Sequence, residues 1–182
     1  MRMESYYCPT ICKLYLECWG EMLMDISLIK AEMKDVETIY KMQIKSFMTL
    51  LERYQDFETS PGSESVEKVA ARINQPFTDY YIIKNDGVAV GGVRIVKRDN
   101  KRYRVSPIFI LPECQGKGIA QKVFQMVEHI YYDAKTWELD TILEEQGNCY
   151  LYEKLGYKKT GKTENIYSKM TLVFYEKYLR NE

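Results

Sequence analysis

The chain has 182 residues, 46% of them hydrophobic and 29% charged, which is typical of a globular protein with one domain and one sizeable core. Lysine plus arginine and aspartate plus glutamate each number 26, so the formal net charge is zero. General nucleic-acid-binding proteins normally carry a basic excess, and this balance argues against that class. No apolar stretch approaches the ~20 residues of a membrane span, so no membrane partner is expected either.

The cysteines and the N-terminus indicate a reducing compartment. Five cysteines are an odd number, and the spacing of Cys8, Cys12 and Cys18 matches no common zinc pattern, so no metal is expected. The first residues contain a single early arginine and an interrupted apolar run, which is a poor signal peptide. The expected location is therefore cytoplasmic.

Residues 1–23 form a leader of doubtful status. The run from Met24 reads like a natural start, because a β-rich stretch is followed by Asp35 at an N-cap position. The residues just before Met24 would be encoded by a purine-rich stretch that resembles a bacterial ribosome-binding site. Two interpretations stay open, a misassigned upstream extension and an ordinary N-terminal helix or arm. We expect residues 24–182 to form a single domain.

The first part of that domain alternates between strand and helix patterns. Residues 25–31 have the period of a first strand, and apolar residues from Val36 to about Glu52 form a helical stripe. A loop with proline and glycine follows. Ser63 or Ser65 is expected to cap a second helix that runs to about Ile73.

Residues 79–112 change to the period of strands. Two turn signals, Asn85-Asp86-Gly87 and Asp99-Asn100, divide this stretch into a three-stranded antiparallel meander. A helix is predicted from Gly118 to about Tyr132, packed through Ile119, Val123, Val127, Ile130 and Tyr131. A fifth strand (137–144), a short helix (148–156), a sixth strand (157–162) and a last strand (165–179) complete an α/β domain around a mixed sheet.

The junction between the fourth strand and the long helix is rich in glycine. Gly116 and Gly118 flank Lys117 just before the helix, where unpaired amides and the helix dipole favour an anion such as phosphate. A P-loop needs an upstream glycine and a serine or threonine that this stretch lacks. A dinucleotide fingerprint needs a third glycine where Gln121 stands. A plain glycine-rich turn stays open on the loop alone.

The loop and a second segment carry a family resemblance. Residues 115–120, QGKGIA, resemble the pyrophosphate loop of the GCN5-related N-acetyltransferases (GNAT), and they likewise follow a strand that ends in an apolar-x-Pro pattern, Ile110-Leu111-Pro112. Residues 151–157, LYEKLGY, resemble the second signature of that family. The order of elements from about Asp25 to Lys177 also agrees. The resemblance implies a central mixed, mostly antiparallel sheet of about seven strands flanked by about four helices.

The resemblance also implies a site for acetyl-CoA. The fourth strand would pair with the pantetheine arm while strands four and five splay apart, and the amide of Ile110 would donate to the oxygen that gains charge. Tyr152 matches the tyrosine of the family whose hydroxyl lies near the coenzyme sulfur, which makes it the candidate catalytic acid. The implied cofactor contacts are Ile108, Phe109 and Ile110 on the strand and Gln115, Gly116, Lys117, Gly118, Ile119 and Ala120 in the loop.

One departure from the family lies before Tyr152. The family commonly has an asparagine seven residues earlier, where this chain has Glu145. Asn148 lies four residues earlier. It is expected to cap the short helix, and it is retained as a candidate cofactor contact.

The implied reaction is direct attack of a primary amine, on a small molecule or peptide, on the thioester. A carboxylate would help to remove a proton from the ammonium form. The candidates are Glu52, Asp56, Glu58 and Glu144, each of which also fits a solvated surface carboxylate. The aromatic residues Phe47, Tyr54 and Phe57 would wall an acceptor pocket or pack in the core.

Several residues have a structural interpretation beside a functional one. His129 falls on the polar side of its helix, Cys114 and Cys149 would serve only a covalent acyl route, and the basic stretch from Lys97 to Arg104 fits a solvated hairpin better than an RNA contact. A non-catalytic acyl-CoA-binding module of the same fold is the alternative function. An acetyltransferase that acts on a ribosome-associated or other protein is a third possibility, and a homodimer stays open.

Overall fold

The computed structural model describes residues 24–179. The leader, with Cys8, Cys12 and Cys18, lies outside the described residues. Within that range there are seven strands and four α-helices. The strands are β1 (Ile26–Lys30), β2 (Thr78–Asn85), β3 (Val88–Arg98), β4 (Arg102–Ile110), β5 (Thr136–Ile142), β6 (Lys158–Tyr167) and β7 (Met170–Tyr178), and the helices are α1 (Val36–Tyr54), α2 (Val66–Asn74), α3 (Ile119–Ile130) and α4 (Gln146–Lys154).

The strands form one sheet in the order β1-β2-β3-β4-β5-β7-β6. Every neighbouring pair is antiparallel except β4 and β5, which are parallel. The helix between those two strands is α3, as a parallel crossover requires. The predicted mixed, mostly antiparallel sheet of seven strands with four helices is confirmed.

The predicted meander follows from its two turns. Asp86 and Gly87 both have positive φ, 50° and 78°, which suits the tight hairpin between β2 and β3. Asn100 and Lys101, both with φ of 59°, turn the chain between β3 and β4. At Gly91 of β3, an added Cβ would lie 2.2 Å from the carbonyl oxygen of Phe109, so glycine lets β4 approach closely.

The helices begin where local chemistry predicts, with one error of packing. The Ser65 hydroxyl accepts from the amide of Lys68 at the start of α2. Helix α3 buries Ile119, Val123, Phe124 and Val127, but Ile130 is 43% exposed. The prediction that Ile130 packs inward is wrong, because the helix ends there and the next residue along, Tyr131, is the one that turns into the core.

Two predicted boundaries near the C-terminus are also wrong. The amides of Asn148 and Cys149 both donate to the carbonyl of Glu145, so Glu145 is the N-cap of α4 and Asn148 lies inside the helix. Strand β6 runs on to Tyr167, and β7 begins only at Met170. None of the helices in the described range is long and apolar enough to cross a membrane.

The two faces of the sheet carry separate cores. Helices α3 and α4 cover one face over a cluster that includes Trp137, Phe124 and Tyr157. Helices α1 and α2 cover the β1–β4 half of the other face, over Ile39, Val69, Tyr80 and Phe109. On this second face, the half of the sheet that α1 and α2 cover therefore ends at β4.

Strands β4 and β5 separate after a short ladder. Pairing extends only from Arg102 with Thr136 to Arg104 with Glu138, and both strands then continue without pairing to each other. A bulge sets two residues of β4, Ser106 and Pro107, opposite the single residue Arg94 of β3. The bulge bends β4 where the separation begins, which agrees with the splay implied by the family resemblance.

Candidate active site

The loop before α3 presents free amides. Gly116 and Gly118 have φ of 73° and 78°, a conformation that residues with a Cβ adopt only with strain. The amide of Lys122 donates to the carbonyl of Gly118, which leaves the amides ahead of it without partners in the helix. The first turn of α3 carries no acidic side chain. This helix start is therefore suited to an anion.

The end of β4 faces the gap between the strands. The amide of Leu111 donates to the carbonyl of Val90 on the β3 side. Because backbone groups of successive residues point to alternate edges of a strand, those of Ile108 and Ile110 point toward β5. The carbonyl of Ile110 accepts from the side chain of Gln115 at 2.8 Å, which joins the glycine loop to the end of the strand.

A cleft of about 290 Å³ opens beside the separated strands. Strands β4 and β5 form its floor, the C-terminal half of α1 and the following loop form one wall, and α4 with the start of β7 forms the other. The side chains that line the cleft include Phe47, Leu50, Arg72, Arg104, Asp140, Tyr152 and Leu172.

Tyr152 lies between the core and the cleft. Only 7% exposed, its ring packs against Phe124, Tyr157 and Tyr175 with centroids 5.7, 6.3 and 6.0 Å away. Within the described residues its hydroxyl makes no hydrogen bond, and the residue lines the cleft. Burial raises the pKa of Tyr152, and the negative charge of Asp140 adds to this effect. The phenol is therefore protonated at neutral pH.

A sequence model of the acetyltransferase (GNAT) family matches residues 43–157, which include the glycine loop, the end of β4 and Tyr152. The chain belongs to this family. Its members are acetyltransferases by definition of the family, so the chain is an enzyme of that class. The resemblance noted in residues 115–120 and 151–157 is confirmed.

Solved structures agree with this GNAT assignment at the level of the fold. The chain superposes on the PaiA N-acetyltransferase of Thermoplasma acidophilum with a TM-score of 0.69, at 17% identity over 86% of this chain and 100% of the other. The spermidine N-acetyltransferase of Vibrio cholerae superposes with a TM-score of 0.68, at 18% identity over 84% of this chain and 95% of the other. The ribosomal-protein-S18-alanine N-acetyltransferase of Escherichia coli superposes with a TM-score of 0.68, at 13% identity over 83% of this chain and 92% of the other. No curated protein sequence matches the chain.

The GNAT departure at Glu145 has a structural role. Its carboxylate accepts from the guanidinium of Arg53 at 2.5 Å and from the hydroxyl of Tyr54 at 2.7 Å. These bonds tie the end of α1 to the start of α4 across the mouth of the cleft. Asn148 is exposed at the cleft edge rather than at the helix cap, so its side chain is available to a ligand.

The four carboxylates considered as bases are poorly placed. Both oxygens of Asp56 are occupied within its own loop, by the amides of Glu58 and Thr59 at 3.2 and 2.8 Å and by the Thr59 hydroxyl at 2.5 Å. Glu144 accepts from the amide of Thr171. Glu52 and Glu58 are exposed and do not line the cleft.

The three aromatic candidates divide between cleft and surface. Phe47 and Tyr54 line the cleft, but Phe57 does not and is 60% exposed. The end of α1 faces the cleft, while the loop turns Phe57 away from it.

Sequence reasoning missed the charged pair inside the cleft. Arg104, a member of the last β4–β5 pair, forms an ion pair with Asp140, which lies two residues beyond that pair on β5, and the side chains are 23% and 20% exposed. Burial raises the pKa of Asp140, although Arg104 opposes the shift. The alternation of Trp137 and Leu139 with Glu138 and Asp140 was the available signal, because it places both carboxylates on one face of β5.

The remaining singled-out residues have structural roles. His129 is exposed on α3, and the thiol of Cys149 points at the carbonyls of Ile142 and Leu143. Each basic side chain of the 97–104 stretch is paired with a carboxylate on Asp79, Asp133, Glu138 or Asp140. The stretch is therefore a charge-compensated hairpin rather than a free basic patch.

Proposed function

We propose that this GNAT protein is an acetyl-CoA-dependent N-acetyltransferase that acts on a primary amine of a small molecule or short peptide. The observation that carries the proposal is the gap between β4 and β5 beyond Arg104 and Glu138. That gap lies between the glycine loop, which Gln115 joins to the end of β4, and a cleft lined by Tyr152. Two substrates, the acetyl donor and the amine acceptor, can thus enter from opposite sides and meet at the gap.

The glycine loop supports acetyl-CoA as the acetyl donor. The amides of residues 116–120 would bind the pyrophosphate, since that of Gln115 already donates to the carbonyl of Pro112, and the backbone of Ile108 and Ile110 would bind the pantetheine arm as an added strand does. The related structure from Thermoplasma acidophilum contains coenzyme A. The positive φ of Gly116 and Gly118 gives the loop the shape that this contact requires.

The transfer itself needs few groups. The acceptor ammonium first loses a proton to water, and the neutral amine then attacks the thioester carbon. The carbon–nitrogen bond forms, and the amide of Ile110 donates to the oxygen that becomes negative. The carbon–sulfur bond then breaks, and the departing thiolate takes a proton from the Tyr152 hydroxyl. The proton that the nitrogen loses restores the phenol. The products are the N-acetyl amine and coenzyme A.

The size of the cleft favours a small acceptor. A volume of about 290 Å³ lies at the lower end of the range for small-molecule sites. One structural neighbour is named as an acetyltransferase of a polyamine and another as an acetyltransferase of the alanine of a ribosomal protein. Proteins of this fold are therefore named for both small-molecule and protein acceptors. The free thiols of Cys114 and Cys149 suit the cytoplasm, the location we propose.

The proposal is tested by two measurements on the purified chain. Acetyl-CoA should raise the melting temperature, because a ligand that binds the folded state stabilises it by mass action. Coenzyme A release should then be detected with members of a panel of primary amines. A chain that acetyl-CoA stabilises but that turns over no amine in a broad panel would be the acyl-CoA-binding module instead. A chain that acetyl-CoA does not stabilise would contradict both functions.

A further inference from the structure

The charged side chains of the cleft differ in how many hydrogen-bond and ion-pair partners they have. Four of them line it, namely Asp56, Arg72, Arg104 and Asp140. Both carboxylate oxygens of Asp56 accept hydrogen bonds from its own loop. Arg72 donates to one carboxylate oxygen of Glu64 at 2.7 Å and forms an ion pair with the other at 2.5 Å. Among the charged residues that line the cleft in the described part of the chain, Arg104 and Asp140 are the pair whose two members both face it, since Glu64, the partner of Arg72, does not line the cleft.

The Arg104–Asp140 pair is held by a single contact. One terminal nitrogen of Arg104 meets one carboxylate oxygen of Asp140. Within the part of the chain that the structure describes, the other two nitrogens of Arg104 and the second oxygen of Asp140 form no hydrogen bond. Since an arginine has five N–H donors, most of the hydrogen-bonding capacity of this pair remains available.

A third arginine, Arg94, lies on the neighbouring strand β3. Arg94, 9% exposed, donates to the carbonyl of Ser106 and the side-chain oxygen of Gln75, which are neutral, and its Nε has no partner among the described residues. Burial lowers the pKa of Arg94 to about 10, and the like charges of Arg72 and Arg104 contribute to the shift.

Three guanidinium groups in this region, those of Arg72, Arg94 and Arg104, thus stand near three carboxylates, those of Glu64, Asp140 and Asp56, the last of which is hydrogen-bonded within its own loop. An anion bound beside Arg104 would accept from the guanidinium N–H groups that have no partner among the described residues. Because this wall is only partly exposed, such an anion would interact more strongly there than in water.

We infer that the acceptor is a small zwitterion, an amine that also carries a carboxylate as an α-amino acid does, with its carboxylate on Arg104 and its ammonium on Asp140. This inference rests on the proposed function and names its substrate class. The neighbouring side chains Phe47, Leu50 and Leu172 are apolar and would receive an apolar side chain of the acceptor. A polyamine fits poorly, because the described lining offers one carboxylate with a free oxygen, that of Asp140, beside two arginines.

The placement of Asp140 is suited to the transfer. Asp140 and Tyr152 line the same cleft, and the charge of Asp140 contributes to the raised pKa of Tyr152. An amine held on Asp140 would therefore lie on the side of the gap where the Tyr152 hydroxyl meets the departing sulfur. The carboxylate on Arg104 would fix its direction.

The first test uses three amines that share one side chain: leucine, leucinamide and 3-methylbutylamine. Coenzyme A release at saturating acetyl-CoA should give a kcat/KM for leucine about tenfold or more above the other two, because they lack the charge that Arg104 binds. Spermidine is included as the polyamine. Equal or better turnover of leucinamide, 3-methylbutylamine or spermidine would overturn the inference while leaving the proposed function intact.

The second test compares Arg104→Gln with Arg102→Gln. Both arginines lie on β4 and pair with carboxylates of β5, but only Arg104 lines the cleft. The Arg104 variant should lose about tenfold or more in kcat/KM for leucine relative to leucinamide, mostly through the KM for leucine, and this ratio is the readout because loss of Arg104 also changes the charge around Asp140. The Arg102 variant should keep the wild-type preference. An unchanged preference in Arg104→Gln would overturn the inference.

A binding measurement separates the inference from the reaction. In calorimetric titrations of the chain in the presence of coenzyme A, N-acetyl-leucine should bind more tightly than N-acetyl-leucinamide, and Arg104→Gln should abolish the difference. If the chain neither binds acetyl-CoA nor releases coenzyme A, the proposed function fails, and titration of the free chain with leucine and leucinamide still decides the charge preference. Equal binding of the acid and the amide would overturn it.

Discussion

The ring of Tyr152 meets the ring of Phe124 edge to face, with centroids 5.7 Å apart. This contact joins α4 to α3, the helix that begins at the glycine loop. The structural and the catalytic interpretations of Tyr152 are therefore compatible, since the ring packs in the core while the residue also lines the cleft. The hydroxyl must be altered without disturbing the ring if the two are to be separated.

Tyr152→Phe should lower kcat by about 100-fold or more while acetyl-CoA binding stays near wild type. The substitution keeps the ring contacts and removes only the proton that the departing thiolate would take. Steady-state kinetics with a good acceptor, together with the acetyl-CoA thermal shift, measure the two effects.

Phe124→Leu is the matched control for packing. It removes the aromatic contact but leaves the hydroxyl, so it should lower the melting temperature more than Tyr152→Phe and reduce kcat far less. Undiminished turnover in Tyr152→Phe would reject the tyrosine as the acid and leave water in that role.

Gly118→Val should abolish the stabilisation of the chain by acetyl-CoA. At φ of 78° a β-branched residue is strained, and its side chain would project where the loop amides bind the pyrophosphate. Gly87→Val is the matched control, because Gly87 has the same φ and, like Gly118, open space around an added Cβ, but lies in the β2–β3 turn. Both variants should lose stability, and only Gly118→Val should lose the acetyl-CoA thermal shift. An undiminished shift in Gly118→Val would show that the loop assignment is wrong.

Activity should fall toward acid as Asp140 takes up a proton. Burial raises the pKa of Asp140, so the carboxylate that holds the ammonium is neutralised at a higher pH than an ordinary aspartate would be. Below that pKa the KM for the acceptor should rise. Because burial also raises the pKa of Tyr152, deprotonation of the phenol should cause no loss of activity up to about pH 10. A profile of kcat/KM against pH for wild type and Asp140→Asn checks this, and an unchanged acid limb in the variant would contradict it.

The ionised carboxylate of Asp79 should raise the free energy of unfolding at neutral pH, and this contribution should disappear in acid. Burial by itself would raise the pKa of Asp79, but hydrogen bonds from Lys30, Lys97 and Tyr131 outweigh it and hold the pKa at about 2. A depressed folded-state pKa means stability that is present above the unfolded value near 4 and is lost as pH falls toward 2.

Denaturant unfolding of wild type and Asp79→Asn measures this contribution. The variant should be less stable by about 1–2 kcal/mol at pH 7, a figure reduced for the solvent exposure of the two lysines. The difference should shrink between about pH 4 and pH 2. A difference that is constant with pH would mean that the loss is one of packing rather than of charge.

Local patterns determined most of the secondary structure. Alternation along residues 79–112 and the turn at Asp86-Gly87 predicted the meander, the Ser65 hydroxyl predicted the start of α2, and Gly118 predicted the start of α3. In each case the cause lies within a few residues of its effect, as a side-chain cap, a positive φ or a one-sided apolar pattern. The prediction that Asn148 caps the short helix is wrong, because the N-cap of that helix is Glu145, whose carboxylate is held by the distant residues Arg53 and Tyr54.

Tertiary structure decided the contents of the cleft. Arg104 and Asp140 are 36 residues apart and meet because β4 and β5 are parallel neighbours whose ladder ends at Arg104 and Glu138. Neither residue differs locally from the solvated charges around it, and the commitment of Asp56 to its own loop is equally invisible in composition. The sequence by itself therefore determined the fold, the glycine loop and the family of this protein. Contacts between distant strands decided which charges face the acceptor, because the electrostatics of a pair depend on separation and burial in space.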